Sequence, residues 1–194
     1  MGNEQFPGLR WPVMMKAELN VYQKGLLYLL LALALMVLVW PVHCLVVEDA
    51  RSGTVVWRRF VQPGDRFVLM YRHSVELCHV WDHFQIDGEY GLVLDETVFP
   101  SSNTGLPAAL GDGERLVREE NGFRISNMRR ILPAIDIWVD RRYDNTLIFG
   151  AQHIRLPELA GNTLLRLKTK QVISADFACY KLHSFFMNSQ KVKK

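Results

Sequence analysis

RFVLMYRHSV, residues 66–75, alternates its side chains with a period of two. Phe67, Leu69 and Tyr71 fall on one face, and Arg66, Met70 and Arg72 largely on the other. That period belongs to an extended strand with one covered and one wet face. Working outward, VWDHFQI (80–86) and GLVLDETVF (91–99) read as two more strands joined by DGEY, where Asp87-Gly88 signals a hairpin. Upstream, CLVVED (44–49) and TVVWRRFV (54–61) flank the turn-like ARSG, and QPGD brings a second turn. Downstream, GFRISNMRRILPAIDIWVD (122–140) supplies two or three short strands, since Pro133 forbids an uninterrupted helix. NTLIFG (145–150) and NTLLRLKTK (162–170) add two more, the latter with Leu165 and Leu167 facing inward. FPSSNTGLPAALGDGE (99–114) reads as loop, AQHIRLPELAG (151–161) as a short turn or 3₁₀ segment, and VISADFACYKLHSFF (172–186) as a terminal strand or short helix. The pattern predicts a mainly β fold, a compact β-barrel or β-sandwich of about eight strands.

Ahead of this domain, GLLYLLLALALMVLVWPV (25–42) holds no charged side chain. As a helix it spans about 27 Å, close to the hydrocarbon thickness of a bilayer. It is predicted to be a transmembrane helix that ends at Pro41. Lys16 and Lys24 precede it, and Glu48 and Asp49 follow, which puts the N-terminus on the cytoplasmic side. WPVHC offers neither small residue of a cleavage site, so an uncleaved anchor is expected over a signal peptide. The resulting division is 1–24 as a cytoplasmic or membrane-surface segment, 25–42 as the span, 43–187 as an extracytoplasmic β domain, and 188–194 as a basic tail.

The 194 residues carry 23 Lys+Arg against 20 Asp+Glu, a formal net charge of +3. Three of the lysines, Lys191, Lys193 and Lys194, sit at the extreme end. A balance this even argues against a nucleic-acid partner. Cys44, Cys78 and Cys179 include no CxxC pair. Three is odd, so a Cys78–Cys179 disulfide and inert buried thiols both stand as readings.

FVLMYRHSVELCHVWDHFQIDG followed by VLDETVFPSSNTGLP resembles the DUF1850 family. Tyr71, His73, Ser74 and Val75 carry the likeness, with Gly105, Leu106 and Pro107 downstream. NTLIFGAQHIRLPELAGNTLLRLK resembles the family's closing region through Asn145, Leu147 and Gly161. Two positions depart from the family's pattern: Asp82 stands in place of a glutamate, and Asn103-Thr104 replaces a glycine-alanine pair. The resemblance implies a small anchored exported protein of the bacterial inner membrane, with its domain in the periplasm. It also implies association with TRAP transporters of the TAXI branch. On that reading the chain is an accessory subunit whose partners are the large membrane subunit, the soluble substrate-binding protein and the lipid bilayer. No chemistry and no cofactor come with the resemblance.

YRHSVELCHVWDHF (71–84) gathers the residues with most chemical reach. On a strand His79, Trp81 and His83 share one face, with Cys78, Asp82 and Phe84 opposite. A spacing of about 6.6 Å between His79 and His83, with His73 from the adjacent strand, would offer zinc three imidazoles. A nucleophile at Ser74 is poorly served by His73, because neighbours on a strand point to opposite faces, and no GxSxG elbow is present. No catalytic residue is therefore named, and the protein is expected not to be an enzyme. A structural reading has His73 hydrogen-bonded to Asp82 or Asp95 and Ser74 bonded to the local turn. As ligand or partner contacts the candidates are His73, Ser74 and Asp82, then Asn103 and Gly105 in the SSNTGLP loop, and Trp138 on IDIWV as an edge anchor. An accessory subunit is the expectation; an independent sensor or metal-binding module is the alternative, and a hydrolytic enzyme comes last.

Overall fold

The computed structural model describes residues 20–73, 78–100 and 110–191, with 183–191 described by backbone alone. The chain divides into two units at the Trp40–Pro41 bond. The first unit holds α1 (Val21–Val39), whose 19 residues reach about 28 Å. By length and composition α1 can cross a membrane, a property it shares with signal sequences. It starts at Val21, ahead of the apolar run, because Asn20 caps it. The Asn20 carboxamide accepts from the Gln23 N–H at 2.8 Å, and the Gln23 carboxamide accepts from the Asn20 N–H at 2.9 Å. The helix ends at Val39, two residues short of the expected stop at Pro41 and three short of the end of the 25–42 span. A residue before proline avoids the helical region, and Trp40 is extended at φ −60°, ψ 128°. Pro41 and Val42 open a strand instead.

The second unit is a two-sheet sandwich and not a closed barrel. Its strands are β1 (Pro41–Asp49), β2 (Val55–Phe60), β3 (Arg66–Arg72), β4 (His79–Ile86), β5 (Leu92–Phe99), β6 (Arg115–Glu119), β7 (Gly122–Ser126), β8 (Arg130–Leu132), β9 (Ile135–Val139), β10 (Thr146–Phe149), β11 (Gln152–Arg155) and β12 (Thr163–Ile173). A short helix α2 (Leu156–Ala160) precedes β12, and α3 (Ser174–Lys191) follows it. One sheet runs β2-β1-β12-β9; the other runs β11-β10-β3-β4-β5-β7-β6, with β8 also on β5. The strands outnumber the expected eight because β6, β8 and β11 are short pieces without a clear alternating face. β6 is exposed at all five positions and lies between the stretch read as loop, which ends at Glu114, and the strands read from Gly122. The C-terminal segment is a long helix, and its backbone carries through residues 188–191, which the sequence assigned to a tail.

The core lies between the sheets. Leu45 and Val47 of β1 and Leu165 and Leu167 of β12 meet Phe67, Leu69, Phe84 and Ile86 of the larger sheet, all buried. Phe67 stacks on Phe84 at 5.0 Å between ring centroids. A second cluster joins Val80, Phe99, Ile125 and Met128. Cys44 and Val46 point away from the core yet are also buried. Next to them on β2, Arg58 pairs with Asp176 of α3 at 2.8 Å.

Gly122 opens β7 at a φ of 149°, where a side chain would lie 2.7 Å from the Pro100 Cα. Gly122→Ala is expected to cost about 3 kcal/mol through this overlap. Urea unfolding of the full chain in neutral detergent measures it, and a wild-type midpoint would contradict the close approach.

Candidate functional site

β3 and β4 pair from Arg66 opposite Gln85 to Arg72 opposite His79. The His73 N–H donates to the Cys78 carbonyl at 2.8 Å and closes the connection. Along β4 the inward positions Val80, Phe84 and Ile86 are buried, while His79, Trp81 and His83 are half-buried on the outward face. The two histidines are four strand residues apart, so their Cα atoms are separated by about 13 Å, twice the expected spacing. Each approaches an acid instead. His79 Nε2 is 3.7 Å from Asp144, and His83 Nε2 is 3.9 Å from Glu96. Among the described residues no three His, Cys, Asp or Glu side chains gather to hold a metal, so the His73, His79, His83 set is not formed. The disulfide reading is corrected too. Cys78 stands at the start of β4 and Cys179 on α3, and all three cysteines are free.

Asp82 points inward from the same strand. Its Oδ1 accepts from the Thr97 hydroxyl at 2.8 Å, and the Tyr71 hydroxyl is its second partner. Burial pushes the Asp82 carboxyl above its ordinary range, against the two hydrogen bonds that pull it down. Burial likewise raises the Tyr71 phenol, with the Asp82 charge adding to it. Thr97 was not foreseen, because a β-bulge brings it there. The register of β4 and β5 shifts between His83 and Phe84, so that His83 faces Glu96 and Asp82 faces Thr97. Without the extra residue Asp82 would stand opposite Glu96, two carboxylates side by side.

The bulge also shapes a cleft of about 280 Å³ on the larger sheet. Arg66, His83, Gln85 and Asp95 give it polar walls, and Phe67 and Ile148 an apolar floor. Asp95 is the added residue of the bulge, and its carbonyl accepts from the Met128 N–H at 3.0 Å.

The DUF1850 family model, described as a domain of unknown function, matches residues 67–156. Residues 67–156 are thus similar to DUF1850, over somewhat less than half of the chain. No curated protein and no solved structure matches it. The DUF1850 match runs from β3 to the first residue of α2, so it contains His73, Asp82, the bulge and Trp138 and leaves out β1, β2, β12 and α3. Ser74, Asn103 and Gly105, named as contacts from the sequence, lie outside the described residues. Trp138 is on β9, the edge of the four-stranded sheet, and is 52% exposed there. The DUF1850 candidates thus divide between the β3–β5 surface and an edge of the opposite sheet.

A folded-state pKa above the unfolded one means that ionised Asp82 opposes folding. Its contribution is present below the ordinary carboxylate range and is lost as pH rises through the raised value. Asp82→Asn removes the buried charge and still accepts from Thr97. It is therefore expected to raise the unfolding temperature at pH 7, with the gain disappearing near pH 3.5. Thermal unfolding across that range checks it; a gain independent of pH would contradict the buried carboxylate.

Proposed function

We propose that the protein is a membrane-anchored accessory subunit of a TAXI-type TRAP transporter, working by contact with another protein and not by catalysis. The observation that carries the reading is the edge of β9. That strand pairs with β12 on one side and ends its sheet on the other. Trp138 stands on its outward face with the Arg51 guanidinium 5.9 Å from the ring. Tryptophan and arginine are the residues most enriched at binding centres, and a free strand edge is a template for an added strand. The other edge of the same sheet is closed. On β2 the Arg58 N–H donates to the Tyr180 hydroxyl of α3 at 3.1 Å.

The partner assignment rests on the family resemblance, which implies the large membrane subunit of the transporter, with its soluble binding protein as a second contact. The proposed location is supported by α1 and its flanks. Lys16 ahead of the helix and Lys24 in its first turn, with Glu48 and Asp49 after it, favour a cytoplasmic N-terminus and a periplasmic β domain at a bacterial inner membrane. A single span forms no solute path by itself, so the transport pore belongs to the partner.

Two outcomes test this. In mild-detergent affinity purification the large membrane subunit is expected to co-purify, and Trp138→Ala to weaken its retention by about 2 kcal/mol with the unfolding transition unchanged. Recovery of the chain alone, with the transporter intact, would overturn the role. Cys179 is exposed and Cys44 buried, so in a Cys78→Ser background an impermeant maleimide is expected to label Cys179 in sealed spheroplasts. Labelling only after permeabilisation would put the domain in the cytoplasm.

A further inference from the structure

At the β2 edge, consecutive arginines reach to opposite sides of the strand. Arg58, opposite Val46, lies on the outward face beneath α3. Arg59, opposite Leu45, turns toward β10 and β11, where its Nη1 donates to Gln152 at 2.8 Å and to the Phe149 carbonyl at 3.4 Å. Its guanidinium lies 4.1 Å from the Phe149 ring centroid. Between these strands and α3 is a cleft of about 340 Å³, lined by Arg58, Arg59, Phe60, Gln152, Phe177 and Lys181.

Three cationic residues thus border one recess at the strand edge, Arg58 from one side of β2 and Arg59 from the other, and among the described residues a single carboxylate, Asp176, pairs with one of them, Arg58. Among the described residues no acid pairs with Arg59 or Lys181. Elsewhere Arg124, Arg130, Arg142 and Arg166 each meet a carboxylate within 2.9 Å. Arg58 carries an independent sign. Its side chain is only 10% exposed, and its Nε is buried without any acceptor, although Nη1 and Nη2 are bonded to Asp176. A buried guanidinium donor with no acceptor is costly, so the charge of Arg58 is left incompletely answered beside the recess.

The geometry points to an anion-binding site in this cleft, taking a phosphate group. Guanidinium forks match phosphate oxygens in pairs, and the ammonium of Lys181 supplies a further point charge. Two cations without an acid partner among the described residues suit a doubly charged oxyanion better than a single carboxylate. The site does not depend on the accessory role: it lies outside the residues that match DUF1850, except for Gln152, and on the sheet edge opposite β9. The phosphate can come from a soluble phosphate compound or from a phospholipid headgroup.

Calorimetric titration of the full chain in neutral detergent micelles distinguishes these sources with two probes, inorganic phosphate and phosphatidylglycerol doped into the micelles. Saturable one-to-one binding of at least one probe is expected, weakened at least about tenfold by Arg59→Gln and by Lys181→Gln. Arg59→Gln gives up the contacts with Gln152 and Phe149, so its unfolding transition is measured alongside; Lys181→Gln, with no acid partner among the described residues, is expected to keep the wild-type transition. Binding of inorganic phosphate identifies a soluble source; binding of phosphatidylglycerol alone, with phosphatidylcholine inert, identifies a lipid headgroup. Saturable binding of neither probe, or binding that both variants leave unchanged, would overturn the site.

Discussion

β1 and β12 pair in unbroken register from Pro41 opposite Ile173 to Asp49 opposite Leu165, although most of the domain lies between them in sequence. The other sheet grows largely from local hairpins, β3–β4, β4–β5, β6–β7 and β10–β11, which close over short connections. Its apolar face nevertheless has no cover of its own. Leu45, Val47, Leu165 and Leu167 supply that cover, and they hold it only while the first and last strands stay together. The pairing is locked at one end by the Asp49 carboxylate, which accepts from the Thr163 hydroxyl at 2.6 Å and from the Arg51 and Ser52 N–H groups. The family match covers 67–156, and the strands that complete its core come from both sides of it. The DUF1850 segment is therefore better regarded as part of a folding unit than as the unit itself.

Charge is handled in two opposite ways within this frame. Asp49 is held down to about 2, first by the Thr163 hydroxyl and then by Ser52, and Asp140 is held down to about 2 by Arg142. Both contribute stability above the ordinary carboxylate range and lose it as pH falls toward 2. Asp82 has the reverse sign because burial outweighs its two hydroxyl donors. The bulge makes this position tolerable. By setting Thr97 rather than Glu96 across from Asp82, it replaces a repulsive pair with a donor. Glu96, moved over by one residue, finds Arg124 at 2.9 Å on β7.

Much of the fold is legible in the chain because period-two patterning is a local property. The inward face of β3, the turn after β4 and the inward Leu165 and Leu167 all follow from it. β6 escapes the pattern because neither of its faces is covered, although Asn121-Gly122 marked its turn. The start of α1 is written in Asn20 and Gln23, a capping box that lies ahead of the apolar run and is set by hydrogen bonding rather than by hydropathy. The site was less legible for a different reason. Which residue faces Asp82 depends on one inserted position in β5, and a bulge leaves no mark in an alternating stretch that is half polar on both faces. The zinc reading failed on arithmetic rather than on fold, since two histidines at this spacing share a face without sharing a neighbourhood.

The two edges of the four-stranded sheet show how one element serves stability and another recognition. An exposed edge invites unwanted pairing, and proteins commonly cover it. α3 does this for β2: Tyr180 takes the Arg58 N–H, and its ring lies 4.3 Å from the Arg58 guanidinium. Closing that edge draws Arg58 into the interior and collects Lys181 beside Arg59, so the cationic recess is a by-product of the cover. Among the described residues β9 has no such helix. On its outward face Asp136 is tied to Arg166 at 2.7 Å, which leaves Trp138 as the apolar group beside the free edge. The strand is five residues long, short enough to limit promiscuous pairing. A partner that adds a strand there must also accept the indole, and that second requirement turns a generic edge into a selective one.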